Sequence, residues 1–228
     1  MSRRSRPVVA IDGPAGAGKS TAARMLAQRL GFVLVDTGAL YRAVALTARE
    51  RGIGWDDGPA LGALTDSLRL GFVTGTDGAP RVQIDGSDRA DDIRSPEISM
   101  GASTVSAHAP VRTALLGLQR RLGDDGGVVL EGRDIGTVVF PDAEVKIFLT
   151  AAPETRADRR VRELRQRGVD VDPEQTLKEV LQRDDQDQNR SVAPLKPAPD
   201  AHVLDSTGLS LSETVDVMAR VAFGQDQG

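Results

Sequence analysis

The sequence predicts an α/β fold built on a parallel sheet, and three observations carry that expectation. A short β-branched run, Val8–Asp12, passes through a Gly-rich turn into a segment with helical apolar spacing. Further short apolar runs alternate with helical stretches along the chain, which is the pattern of a parallel sheet with helices packed on it. A hairpin signal near the middle interrupts this alternation and points to an inserted piece.

In order, Val8–Asp12 reads as a buried strand. Lys19 to Leu30 reads as a helix with Ala22, Ala23, Leu26, Ala27 and Leu30 at helical spacing and Gly31 as its stop. Phe32–Asp36 is a second buried strand, and Ala39–Arg51 a second helix with Leu40, Val44 and Ala48 on one face. Leu68–Thr74 and Pro80–Asp85 are strand-like and joined by Gly75-Thr-Asp-Gly78, antiparallel by construction. Ala102–Leu122 is helical, with Pro110 breaking or kinking it. Val128–Glu131 and Val145–Leu149 are buried strands. Pro153–Arg167 and Pro173–Arg183 are helices opened by a proline, which suits a first turn. Pro194–Pro199 is a turn-rich connector, His202–Asp205 a last strand and Leu211–Phe223 a last helix.

Composition narrows the function. The 228 residues allow one large domain or a domain with an insertion. With no cysteine there is no disulfide, Cys zinc site or thiol nucleophile. The two histidines, His108 and His202, are far apart in sequence and read as structural; Trp55 and Tyr41 read as packing residues. No apolar run approaches the ~18 residues of a membrane span. The run behind the basic start Met1–Arg6 is too short for a signal-peptide core. The net charge of −4 argues against bulk nucleic-acid binding. A cytoplasmic protein is expected. Of 29 basic residues, 25 are Arg and only four are Lys: Lys19, Lys146, Lys178 and Lys196. That excess is mostly compositional as a total, but the positions of the arginines are informative.

Gly13-Pro14-Ala15-Gly16-Ala17-Gly18-Lys19-Ser20 fits the phosphate-loop pattern and lies between a predicted strand and a predicted helix, where such a loop must lie. Its glycines let successive N–H groups face one concavity, and the helix N-terminus adds positive potential. Lys19 would reach the β- and γ-phosphates, and the Ser20 hydroxyl would bind Mg²⁺, with Thr21 as a possible substitute. A phosphate loop leaves the class open. A GTPase would need Asn-Lys-x-Asp, yet the single Asn, Asn189, precedes Arg190, and the Ser-Gly-Gly of transporter ATPases is absent. Two readings remain: a small phosphotransferase with a bound acceptor, or a nucleotide-switched binding module.

An acceptor site has its own signals. Arg183, Asp187 and Arg190, spaced four and three, share a helix face that could hold a phosphate and a ribose hydroxyl; a solvated helix end is the alternative. Arg133-Asp134 follows a predicted central strand directly, at the edge where open α/β sheets bind ligands. Six arginines crowd residues 156–167 (Arg156, Arg159, Arg160, Arg162, Arg165 and Arg167), as either a solvated helix or a mobile lid.

Ile11–Thr21, Asp36-Thr-Gly-Ala-Leu-Tyr-Arg42, Gly132–Asp142 and Arg183–Arg190 together resemble the bacterial cytidylate (CMP) kinase family, from about residue 7 to the C-terminal helix. The resemblance implies a P-loop nucleoside-monophosphate kinase fold: a three-layer core with a parallel sheet at about 1–62 and 101–228, an antiparallel monophosphate-binding insertion at about 63–100, and a short helical lid at about 153–170. It implies that residues 13–21 bind ATP. Thr37, Arg42, Arg133 and Arg190 would hold the CMP phosphate. Ser103, Arg112 and Asp134 would read cytosine, and Arg183 and Asp187 would reach the ribose. Lys19, Arg133, Arg190 and the lid residue Arg160 form the implied catalytic set. Thr37 stands where relatives often carry Ser and keeps the hydroxyl; Gln186 and Gln188 stand where many carry Arg, outside the 183/187/190 face. The implied activity is ATP- and Mg²⁺-dependent phosphorylation of CMP and dCMP by a monomer with no nucleic-acid or membrane partner; a broader UMP/CMP kinase is the alternative. The chemistry agrees, because cytosine offers an N4 donor with N3 and O2 acceptors, matched by a carboxylate and an Arg. Uracil would set its O4 acceptor against the Asp134 carboxylate.

Overall fold

The computed structural model describes residues 4–75, 79–166 and 168–224. Five parallel strands form the central sheet: β1 (Val8–Asp12), β2 (Val33–Asp36), β6 (Val128–Gly132), β7 (Val145–Thr150) and β8 (His202–Asp205), in the order β2-β6-β1-β7-β8. β1 is central, with Asp12 opposite Gly132 of β6 and Phe148 of β7. The first crossover runs to one side of β1 and the last two to the other, so the carboxyl ends of β1 and β6 border the crevice where such sheets bind ligands.

The two-residue period of β1 loads both faces of the sheet. Val9 and Ile11 pack with Ala22, Ala23 and Leu26 of α1 (Lys19–Leu30) and with Val215 and Met218 of α8 (Leu211–Ala222). Val8 and Ala10 pack with Val35, Leu130, Ile135, Val139 and Phe140 on the other side. Each fully buried large side chain such as Ile11 or Leu26 contributes about 2 kcal/mol. A third core joins α2 (Thr37–Glu50), α3 (Gly58–Ser67), α4 (Pro96–Val105) and α5 (Ala109–Arg121) to a three-stranded antiparallel sheet, β3 (Leu70–Thr74), β4 (Pro80–Ile84) and β5 (Ser87–Asp88).

Several expectations are corrected. The stretch 102–122 is broken, not kinked, at Pro110, which stands in the first turn of α5; the helix before it, α4, starts earlier than expected, at Pro96 capped by Ser95. α3, capped by Asp57 with Pro59 in its first turn, was not anticipated, nor was the short β5. β2 is an edge strand, with Val33 66% exposed instead of buried. Arg183 and Asp187 share α7 (Pro173–Asn189), but Arg190 is its non-helical C-cap, so the three do not occupy one continuous helix face. A single π-helical turn, Ile135–Val139, follows Arg133-Asp134. Thr76, Asp77 and Gly78 of the expected hairpin connection, Arg167 of the expected helix 153–167, observed as α6 (Pro153–Gln166), and the start Met1–Arg3 lie outside the described residues. His108 and Trp55 are structural: His108 Nε2 donates to the Trp55 carbonyl at 2.9 Å, and Trp55 Nε1 donates to the Ala45 carbonyl at 2.9 Å. No helix among the described residues is long and apolar enough to cross a membrane.

Candidate active site

The phosphate loop runs from the end of β1 into α1. Gly13 has φ +148°, and a Cβ there would fall 1.9 Å from the Leu149 carbonyl oxygen, so only glycine lets the loop leave the sheet this close to β7. The N-cap of α1 is Gly18, with no side chain closing the helix end, so the first-turn N–H groups face the loop as anion donors. Gly13, Pro14 and Ala17 are buried, whereas Gly16, Ser20 and Thr21 are exposed; Ala15 and Gly18 are half-buried. Lys19 is buried and donates to the Pro14 carbonyl at 2.7 Å. Burial, aided by the neighbouring Arg133 charge, pulls its ammonium down to about 7.

Beside it stands a residue that the sequence analysis did not single out. Glu131, near the end of β6, is buried, and its Oε1 has no partner. Burial and then Asp36 push its carboxyl up to about 7, against the pull of Lys19 and the Ser20 hydroxyl. A buried carboxyl with an unpartnered oxygen beside a hydroxyl fits a cation, so Ser20 and Glu131 suit Mg²⁺. The available signal was positional: Glu131 ends an apolar run that pairs with the phosphate-loop strand.

The raised carboxyl has a consequence for stability. Between about pH 4.5 and 7 folded Glu131 keeps a proton that the unfolded chain has lost, so its contribution to stability falls as pH rises through that window. Buried Asp12, pushed up to about 6 by burial, acts with the same sign. Glu131→Gln is therefore expected to flatten the fall in urea midpoint of the ligand-free protein between pH 5 and 7. Parallel curves for wild type and variant would refute this.

Across the crevice, four arginines surround one space. Arg183 on α7 is held down to about 10 by burial and by repulsion from Arg133, Arg42 and Arg160, with Asp187 as the opposing carboxylate. Its Nε has no partner. Arg133 Nε donates to Asp187 Oδ2 at 2.8 Å, and Arg42 Nη2 to Asp36 Oδ2 at 2.5 Å. Burial works against ionisation of Asp187, but Arg133, Arg183 and Arg190 outweigh it and hold the carboxyl below its usual range. Thr37 Oγ1, at the start of α2, donates to the Glu131 carbonyl at 2.7 Å and so ties α2 to β6. Arg183, repelled by three neighbouring guanidiniums and with its Nε unpartnered, leaves positive charge here that suits a multiply charged anion.

A second cluster surrounds Asp134. Its Oδ2 accepts from Arg112 Nη2, and its Oδ1 lies 3.7 Å from Arg190 Nη2. Arg112 Nη1 also donates to the Ser106 carbonyl at 3.2 Å, and the Arg112 guanidinium lies 5.6 Å from the Tyr41 ring centre. Tyr41 thus supports Arg112 through a cation–π contact as well as packing. Arg190 was expected among the phosphate-binding arginines; in the structure it pairs with Asp134 and donates to the Ala193 carbonyl at 2.6 Å. Ser103 is half-buried on α4.

The arginine-rich helix divides by burial. Arg156 is 3% exposed; it grips Asp184 of α7 through both Nη atoms and donates to the Ala15 carbonyl of the phosphate loop at 3.0 Å. Arg159 donates to the Ala17 carbonyl at 3.1 Å and the Ser206 carbonyl at 2.8 Å. Arg160 pairs only weakly with Glu163, at 3.3 Å. Gln186 and Gln188 are exposed.

A cytidylate kinase family profile matches residues 9–223. The cytidylate kinase of Geobacter sp. (strain M21) is 51% identical over 218 residues, covering 96% of this chain and 93% of that protein. The cytidylate kinase of Pelotomaculum thermopropionicum is 49% identical over 222 residues, covering 97% and 98%. Among solved structures, an uncharacterized protein from Eubacterium ventriosum aligns with a TM-score of 0.53 at 12% identity, covering 96% of this chain and 99% of that one; this likeness concerns the fold alone. Since the profile spans nearly the whole chain and relatives of matching length share about half its residues, this chain belongs to the cytidylate kinase family.

Proposed function

We propose that this protein transfers the γ-phosphoryl group of ATP to CMP and dCMP, releasing ADP with CDP or dCDP, and does so as a cytoplasmic monomer. The observation that carries the acceptor assignment is the pairing of two unlike clusters on one crevice. The guanidiniums of Arg42, Arg133 and Arg160, with the unpartnered Arg183 Nε beside them for the sugar, suit a phosphate on a nucleoside, and the Arg112–Asp134 pair suits a cytosine edge.

The residues 13–21 hold the donor phosphates against the N-terminus of α1, with Lys19 leaving the Pro14 carbonyl to meet the β/γ-oxygens. When bound, Mg²⁺ supplies charge neutralisation on those oxygens; Ser20 would hold it, with Glu131 facing it. Arg133 and Arg160 neutralise the migrating group, and no strong general base is needed because catalysis is positioning and electrostatics. Arg42 fixes the acceptor phosphate, with Thr37 turning its hydroxyl from the Glu131 carbonyl to meet it, while Arg183 and Asp187 contact the sugar. Arg190 bridges the two clusters, being close to Asp134 and acting electrostatically on Asp187. Ser103 completes the base side. The insertion at about 63–100 and the lid at about 153–170 close over the substrates and exclude water.

ADP formation measured with CMP, dCMP, UMP, AMP and GMP tests this reading. CMP and dCMP should be the good acceptors. Comparable UMP turnover would shift the reading to a broader pyrimidine kinase, and ADP formation independent of acceptor would refute phosphotransfer. Asp187→Asn is expected to lower kcat/KM for CMP about tenfold more than for dCMP, since only CMP offers a 2′-hydroxyl to the carboxylate. Equal losses would move the contact to the 3′-hydroxyl, which both substrates carry, or leave Asp187 with no sugar contact.

A further inference from the structure

Asp12 ends the strand that leads into the phosphate loop, yet both of its carboxylate oxygens are directed at the acceptor side. Oδ1 accepts from the Ile135 N–H and Oδ2 from the Gly136 N–H, each at 2.8 Å. These are the first two donors of the π-helical turn Ile135–Val139, whose own N-cap, Asp134, provides no side-chain cap. An orphaned N–H pair at a helix start needs an acceptor. Here it comes from a residue 123 positions away in sequence.

That leaves the Asp134 side chain free for Arg112. A self-capping Asp134 would turn its carboxylate back onto its own turn and could not face a base. Gly136 leaves open room beside the contact: a Cβ there would only touch Asp12 Oδ2, at 3.4 Å, and would meet the Lys146 methylenes at 3.2 Å. Asp12 is 5% exposed, so no water competes for the two amides.

We infer that Asp12 is a positioning residue for base selection: by capping the 135–139 turn from across the sheet it sets the direction of the Asp134 carboxylate, and it ties the donor loop to the base-reading side of the acceptor. This rests on the proposed CMP kinase activity. Asp12 touches neither substrate in this role; it acts through the turn.

The test is Asp12→Asn in the full chain, with kcat and KM measured separately for ATP, CMP and UMP. The amide can accept only one of the two N–H groups and sets its own NH₂ against the other. The CMP-over-UMP ratio of kcat/KM is expected to fall roughly tenfold, while KM for ATP stays within about twofold. Asp12→Ser, whose hydroxyl can accept from one of the two N–H groups without setting an NH₂ against the other, should show the same signature and decides the matter alone if Asp12→Asn does not fold. Retained CMP selectivity in the folded variants would overturn the inference. So would a loss confined to KM for ATP, which would make Asp12 a donor-loop residue. A wild-type protein that does not phosphorylate CMP would instead refute the proposed activity itself.

Discussion

Lys19→Ala lowers kcat for CMP phosphorylation by about a thousandfold or more, without loss of the fold. The expected split between activity and stability follows from the burial of this ammonium. Lys19 is held to about 7 because burial and the nearby Arg133 charge disfavour its protonated form, and it donates to the Pro14 carbonyl. In the ligand-free protein the charge is a strain that ATP relieves by bringing phosphate oxygens to it. Removing the side chain therefore relieves a desolvation cost in the free protein while removing the one Lys in the nine-residue loop. The unfolding midpoint without nucleotide should be unchanged or raised, and the rise on adding ATP should be much reduced. Wild-type-like turnover in Lys19→Ala would remove the residue from the donor site.

Asp134→Asn lowers the preference for CMP over UMP by about a hundredfold. Asparagine keeps the shape and retains an acceptor for the cytosine N4 amine, but it adds an NH₂ that can donate to uracil O4, so the penalty against UMP disappears. Because Asp134 lies between Arg112 and Arg190 in a buried cluster, the variant also leaves two guanidiniums with weakened compensation, at a cost of about 3 kcal/mol. The two effects separate by measurement: competition between CMP and UMP reports the base, and urea unfolding reports the ion cluster. A stability loss with unchanged CMP/UMP selectivity would make Asp134 a structural partner of Arg112 only.

Where the chain's local chemistry decides, the sequence was legible. The strand, glycine turn and helix of the phosphate loop are neighbours in sequence, so their geometry follows from residue type and order. The helix starts missed, at Gly58 and Pro96, carried local signals in Asp57-Gly-Pro59 and Ser95-Pro96, each an N-cap followed by a first-turn proline. The Arg183/Asp187 pair was legible as a helical face, but the departure of Arg190 from that helix was not. Its Nε is held by the Ala193 carbonyl in a connector with no regular period.

By itself, then, the sequence determined the phosphate loop, the alternating α/β order, the antiparallel insertion and the motifs of the family. Only the tertiary structure decided which of its many alike side chains do which work. Arg156 and Arg160 lie four residues apart on one helix, yet the first is buried against Asp184 and the phosphate loop while the second lies close enough to Arg183 to repel its charge. Asp12 and Glu131 read as unremarkable strand ends until the sheet pairs β1 with β6 and removes both carboxyls from water. The physical reason is the range of the forces. Propensity, capping and turn chemistry act within a few residues of chain, whereas desolvation and charge pairing depend on which distant segments the folded sheet brings within a few ångströms.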